Sequence, residues 1–522
     1  MAYRPFRAAA LGALFAWLAL SPAAAAELYA ADGLDLRWDN TLRYSTAMRI
    51  SPRSNLILGN ANSDDGDRNF APGIVSNRLD LMSQLDLAAD DFGFHASGAG
   101  WYDSIYHGRT DNHSEATYNV TSVPSGHFAP AVRDLHGQYA ELDDAFVYGN
   151  FSVADIPLSV RAGRQTVLWG ESLFNDANSI ASAQAPADNT RTVNGRNGYS
   201  NNIYLPVAQL SLTAQLLPNI AVSVYNQFEA RPSRQPGDGS YLSYIDFLGS
   251  GAGRLFLPSG RQLLRDKDGK ASAAGQYGIA VHTTLNDVDI GLYGLRFNAS
   301  DPEIATTPDG DSSNPQDIGY YKLVYPKGIS LYGASVSGSL GDSTIAGELS
   351  VRQNTPLVIY APGQLFIRHP STGYAPGYEK GDLLHVQASD TMRTGGSDIW
   401  DSADLSMEVA TDEVMHVDGN AAADPSWNRF AMKARFLFEP HYFQVLPGLD
   451  LTIPVGIGYN LTGRGFTYYV QNAGAGDLEV GVSALYRSAW KASIEFNGFI
   501  GSPASQPLAD RSFIAASLER TF

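Results

Sequence analysis

The sequence predicts an all-β chain: a transmembrane antiparallel β-barrel of about 16–18 strands with short periplasmic turns and long extracellular loops. Three observations predict it. An export signal stands at the N-terminus, many segments alternate apolar and polar residues, and those segments pair through tight turns on one side and long polar loops on the other.

The chain opens with Arg4 and Arg7, an apolar run from Ala8 to Leu20, then Ser21, Pro22 and small residues through Ala26. Ala24 and Ala26 fit an A-x-A cleavage site that leaves Glu27 as the mature N-terminus. The apolar run is too short for a membrane anchor. The expected organisation is a signal peptide, residues 1–26, and a single barrel domain, residues 27–522. Losing two Arg moves the net charge from −18 to −20. No later stretch carries 18 consecutive apolar residues, so no helical span is expected. Cys is absent, which rules out disulfides and thiolate metal sites. The acidic balance argues against nucleic acid, because phosphate neutralisation needs clustered Lys and Arg. Charged residues are only 17%, beside 51 Gly, 27 Tyr and 23 Phe, a profile foreign to a soluble chain of several domains.

From Leu34 the even positions read Leu34, Leu36, Trp38, Asn40, Leu42, Tyr44, Thr46, Met48, Ile50, and the odd ones Asp35, Arg37, Asp39, Thr41, Arg43, Ser45, Ala47, Arg49. Successive strand side chains point to opposite faces, so one face is apolar and the other charged. A membrane barrel turns the apolar face to lipid and keeps the charges in a wet lumen. Later segments pair in the same way. Leu79 to Leu87 leads through Asp90-Asp91 to Phe92 to Tyr106, and Tyr139 to Phe151 turns near Pro157 into Ser159 to Leu168. Val207 to Leu216 turns at Leu217-Pro218-Asn219, Gln276 to Leu285 at Asn286-Asp287, and Ile329 to Leu340 at Gly341-Asp342. Residues 381–391 and 403–416 add strands, and the count reaches about eighteen. Long Gly, Asp, Asn, Ser and Pro-rich loops occupy residues 51–74, 108–135, 175–203, 232–274, 300–317 and 355–380. The last segment runs from Arg511 to Phe522; a C-terminal strand ending on Phe resembles the signal read by barrel assembly machinery, although Arg520 stands where an apolar residue is usual.

Several stretches resemble one family, bacterial outer-membrane proteins labelled domain of unknown function 1302. The sharpest is Gly163-Arg164-Gln165-Thr166-Val167-Leu168-Trp169-Gly170-Glu171-Ser172. Others are Gln276 to Val281, Tyr325 to Gly333, Gly347 to Leu357, and the C-terminal set Trp490, Asp510-Arg511-Ser512-Phe513 and Phe522. The loop from Asn175 to Leu205 departs from the family's Pro- and Arg-containing stretch. The resemblance implies a barrel in the outer membrane of a Gram-negative bacterium, surrounded by lipid and lipopolysaccharide and encoded beside a lipid-handling inner-membrane exporter.

Candidate site residues lie where a strand leaves the membrane for a long loop. Arg164, Gln165, Trp169 and Glu171 are expected to converge on a lumenal constriction, Trp169 stacking on a ligand and the charges orienting it. The structural alternative makes Trp169 an interfacial girdle residue and Arg164 with Glu171 an ion pair that fixes the loop. Arg191 and Arg196 face the same lumen if the loop folds inward and are solvated charges if it stays outside. The acidic loop runs Asp64-Asp65-Gly66-Asp67, Asp266-Lys267-Asp268-Gly269 and Asp309-Gly310-Asp311 lack the distal Glu of an EF-hand and read as solvated charge, so no metal is expected. There is no HExxH, no G-x-S-x-G elbow and no P-loop, so no catalytic residue and no cofactor is expected; His95 and His282 are strand residues of the packed or lumenal kind.

Three functions remain open on the sequence. The first is a barrel that binds or passes a small hydrophobic molecule or lipid, alongside the exporter that the resemblance implies. The second is a porin-like channel for small polar solutes, and the third a plugged structural or partner-docking barrel. An aromatic-lined passage with a lateral opening supports lipid; a ladder of Arg facing acids supports an ion-selective pore.

Overall fold

The structure, a computed structural model, describes residues 26–31, 33–174, 177–190, 203–309, 313–357, 373–418, 429–463 and 472–522. The expected signal segment up to residue 25, and Arg191 and Arg196, lie outside the described residues.

In chain order the strands begin with β1 (Ala26–Ala31), β2 (Leu34–Arg49), β3 (Gly73–Ala89), β4 (Phe92–Asp103), β5 (Gln138–Val153), β6 (Ile156–Gln165), β7 (Val207–Leu217) and β8 (Ile220–Gln227). Next come β9 (Arg254–Phe256), β10 (Gln262–Arg265), β11 (Tyr277–Leu285), β12 (Val288–Phe297), β13 (Glu303–Pro308), β14 (Asp317–Val324), β15 (Ile329–Leu340), β16 (Ser343–Leu357) and β17 (Ala375–Pro376). The series ends with β18 (Glu379–Thr394), β19 (Ser402–Val417), β20 (Phe430–Leu446), β21 (Leu449–Thr452), β22 (Val455–Thr462), β23 (Gly476–Tyr486), β24 (Trp490–Ile500) and β25 (Phe513–Thr521).

Among the described residues eighteen antiparallel staves form the barrel, with β21 and β22 counting as one stave interrupted at Ile453-Pro454. Each pairs with its neighbour in the series, and β25 pairs back onto β2, from Thr41↔Thr521 to Arg49↔Phe513. Closure leaves no free sheet edge, the condition for backbone in a bilayer. Phe522 exchanges both backbone hydrogen bonds with Asn40, at 2.9 and 2.8 Å. Beyond that point β1 takes the place of β25 beside β2, from Ala26↔Trp38 to Ala31↔Leu34. Arg520, opposite Leu42, packs its guanidinium 5.1 Å above the Trp490 ring, which accounts for a charge on the outer-face parity.

The faces follow the alternation. Trp38, Tyr44 and Met48 are exposed, whereas Ser45, Ala47 and Arg49 are buried. Leu210, Ile279, Leu292, Tyr332, Ile345 and Leu349 continue the exposed apolar belt around the barrel. The turns at one end are tight. Asn286 and Asp287 both take positive φ (49° and 63°), the geometry of a two-residue hairpin that matches strand twist. The turn expected near Pro157 sits earlier, at Ala154 and Asp155 with φ 50° and 65°, and Pro157 belongs to β6.

The loops at the other end are not open coil. Residues 51–72, 104–137 and 237–246 meet residues 501–512 in an apolar cap whose core is Phe70, Tyr106, Phe128, Val132, Tyr241 and Phe513. Where long loops were expected, a second sheet forms in the order β17-β13-β14-β10-β9, packed on Phe247, Leu255, Leu263, Ile304, Tyr321 and Leu323.

Candidate functional site in the lumen

Strand β6 delivers the chain into residues 166–206, and the described part of that loop folds into the barrel. Its first anchor is aromatic. The Trp169 ring lies 5.0 Å from Tyr225 on β8 and 6.2 Å from Tyr293 on β12, both buried on the inner face. Trp169 is therefore part of a packed cluster with Ile180, Leu295 and Leu331. Small residues make room for it. A Cβ on Gly278 would meet the Tyr225 ring at 2.5 Å, and one on Gly333 would meet Ile180 Cδ1 at 2.9 Å.

The second anchor is a carboxylate on β16. Glu348 accepts from the backbone N–H of Glu171 (2.9 Å) and of Ile180 (2.8 Å). Gly170 approaches so closely that a Cβ there would stand 2.5 Å from Glu348 Oε2, and its φ of +98° favours glycine. Arg352, four residues along the same face, donates to Ser179 O and Ser182 Oγ at 2.7 Å each. The third anchor lies farther round the wall. Glu408 on β19 accepts from Leu173 N (2.6 Å) and Phe174 N (3.3 Å), and the Arg435 guanidinium on β20 stands 5.7 Å over the Phe174 ring. The loop thus runs from β6 to β19 and β20, across the interior. At the second and third anchors a wall side chain bonds loop backbone, which satisfies polar groups that a folded-in loop would otherwise bury unpaired.

The expected site residues are placed as follows. Gln165 is buried on the inner face, and its amide donates to Arg161 O (3.2 Å) and Gln209 O (3.3 Å). Arg164 has the parity of the outer face, with Ala162 and Leu210, and bonds Glu229 at the rim. The alternative ion pair with Glu171 does not form: Glu171 instead accepts from Ser337 Oγ at 3.4 Å. The geometry separates Arg164 from Trp169 and Glu171 because the pleat turns Arg164 away from the lumen that Gln165 faces. Sequence reasoning missed Glu348, Arg352, Glu408 and Arg435. The available signal was their place: charged side chains at the inward parity of strands whose outward residues are Leu349, Val409 and Phe436.

The rest of the inner wall is charged and cross-paired. Arg37 meets Asp39 (3.4 Å) and Asp86 (3.9 Å), and His95 Nδ1 meets Asp86 at 2.6 Å. Elsewhere on the inner wall Arg435 meets Asp477 (2.7 Å) and Glu479 (3.3 Å), Arg393 meets Asp404 (2.6 Å), and His385 Nδ1 meets Asp412 at 2.8 Å. His282 lies edge-on to Tyr293.

One acidic loop run departs from expectation. Asp64, Asp65 and Asp67 are buried, not solvated. Asp67 is held by Arg49 (2.6 Å) and Arg511 (3.4 Å) beneath the cap, where the loop is covered by residues far away in sequence. Asp266 is solvated, Asp268 pairs with Arg265 at 2.8 Å, and Asp309 precedes residues 310–312, which lie outside the described residues.

Among solved structures, the chain is similar to the Acinetobacter baumannii protein OccAB1 at 14% identity, covering 93% of this chain and 96% of that one with a TM-score of 0.44. Pseudomonas aeruginosa OpdK with vanillate gives 11% identity, 93% and 98% coverage and a TM-score of 0.40. The outer membrane channel DcaP of Acinetobacter baumannii gives 10%, 95% and 99%, and 0.38. No curated protein matches. Four of the stretches that carried the family resemblance come together in space: Trp169-Gly170-Glu171, Gly278, Gly333, and Glu348 with Arg352 all belong to the anchored loop and its seat, while the C-terminal set lies at the cap and the β25 closure. The family model described as Protein of unknown function (DUF1302) matches residues 6–522, and the chain belongs to that family.

Proposed function

We propose that the chain is an outer-membrane channel for small polar or charged solutes, narrowed by the described residues of the loop after β6, 166–174 and 177–190. The observation that carries the reading is the loop pinned by Glu348 and Glu408 across an interior whose free walls are cross-paired Arg, Asp and Glu. Such walls suit water and ions, while apolar cargo needs an apolar lining. The apolar groups near the loop, Trp169, Ile180, Tyr225 and Tyr293, are packed on one another. This supports the polar-solute reading over hydrophobic or lipid cargo, and with it over a working link to a lipid exporter.

The test is solute flux into liposomes carrying the purified barrel, with and without the double substitution Glu348→Ala and Glu408→Ala. We expect wild-type flux of small sugars and amino acids, faster in the double variant because its loop is unpinned. No flux in either protein, with the barrel still heat-resistant on a gel, contradicts a channel and favours a docking barrel.

A further inference from the structure

The cap over the extracellular end holds a group of carboxylates that the channel reading does not use. Carboxylate oxygens of Asp64, Asp65 and Asp246 lie within 4.8 Å of one another, and all three residues are buried. Asp64 is paired with Arg68. Asp65 and Asp246 form no salt bridge among the described residues; Asp65 accepts from Asn119 N (2.7 Å) and Asn112 Nδ2 (3.5 Å), and Asp246 from Asp65 N (2.8 Å) and Ser243 Oγ (3.1 Å). A fourth acid borders the group. Asp238 is 1% exposed and lies against the Asp246 carboxyl, and no N–H or hydroxyl group donates to either of its carboxylate oxygens. The amide oxygen of Asn119, beside Asp65, also lacks a donor.

The contrast with the neighbouring network is instructive. There Arg49 and Arg511 neutralise Asp67 and Asp510 at 2.6 to 3.6 Å. Around Asp65, Asp238 and Asp246 the Arg254, Arg265 and Arg511 guanidiniums act only from a distance. Burial and mutual repulsion push all three acids above the usual carboxylate range. Burying several carboxylates without a close counter-charge is costly, and either a shared proton or a bound metal ion offsets it.

We propose that Asp64, Asp65 and Asp246, with Asp238 beside them, hold a Ca²⁺ ion that ties the cap loops 64–67 and 238–246 together. The donors are hard oxygens, with no imidazole or thiolate among them, which suits Ca²⁺ rather than a transition metal. Two oxygens on opposite sides of a Ca²⁺ at roughly 2.4 Å stand about 4.8 Å apart, so oxygens within that limit fit around one ion. The loops bring acids from segments about 175 residues apart in sequence, so the ion acts as a cross-link between two parts of the cap.

The test uses the full chain refolded in detergent free of lipopolysaccharide, once with EDTA and once with CaCl₂. Calorimetric titration of the EDTA sample with CaCl₂ should show one saturable site. Hydrogen exchange at residues 64–70 and 238–246 should slow when Ca²⁺ is present. Asp246→Asn should weaken Ca²⁺ binding by about tenfold or more. Asp238→Asn guards against simple misfolding: removing a buried charge should slow exchange in EDTA while abolishing the response to Ca²⁺. No saturable Ca²⁺ heat, or a Ca²⁺ response unchanged in Asp246→Asn and Asp238→Asn, overturns the site and leaves the acids sharing protons.

Discussion

Glu348 is the residue on which the lumenal loop depends most. Its two oxygens satisfy two backbone N–H groups, at Glu171 and Ile180, that sit nine residues apart in the loop. Glu348→Ala leaves both donors without an acceptor, at about 1–3 kcal/mol each if they stay buried. The loop should therefore detach at this point rather than tolerate the loss, and amide exchange at Glu171 and Ile180 should accelerate at least tenfold while the strand amides of β16 keep their protection. Equal protection in wild type and variant would show that the aromatic seat alone holds the loop. Residue-level legibility was uneven for a simple reason. Trp169 and Gln165 stood out in a dense motif, and both turn inward. Arg164 stood in the same motif, but adjacent strand residues face opposite ways, and the outward one of the pair was Arg164. Glu348 is the one acid of β16 and Glu408 one of four in β19, and nothing local marks either as the partner of a loop more than 160 residues away.

At the scale of the strands, alternation carried almost everything. The two-residue period set register and facing, because a slip by one residue moves every apolar side chain into the lumen. Leu292, in the middle of β12 and exposed on the apolar belt, tests this directly. Leu292→Arg should cost about 2–4 kcal/mol in lipid-reconstituted unfolding, whereas Arg37→Ala, on the inner face, should change stability by less than about 1 kcal/mol. Similar costs for the two would mean that the facing is inverted. Turns were legible where residue chemistry announces positive φ, as at Asn286-Asp287. At Ala154-Asp155 the first position is an alanine that gives no such sign, and Pro157 drew the expected turn three residues too far along. The sheet β17-β13-β14-β10-β9 was hidden because its strands are short and come from three separate loops.

For the whole molecule, closure and loop asymmetry were readable from the count and spacing of segments, but the inward course of the loops was not. Burial of Asp64, Asp65 and Asp67 depends on Tyr241, Asp246 and Arg511, contacts of 170 residues and more that no local pattern encodes. The same holds for the loop after Trp169, which reaches β19 and β20 through Glu408 and Arg435. The molecule that results is a barrel with a charged interior, a cap at the long-loop end, and a loop pinned across the interior between three inner-wall anchors. Single-channel conductance in planar bilayers, before and after deletion of residues 178–200, tests that architecture most directly. The account predicts discrete steps for the wild-type chain and a larger unitary conductance for the deletion, because the segment that narrows the passage is gone. An unchanged unitary conductance, with the barrel intact, would contradict it.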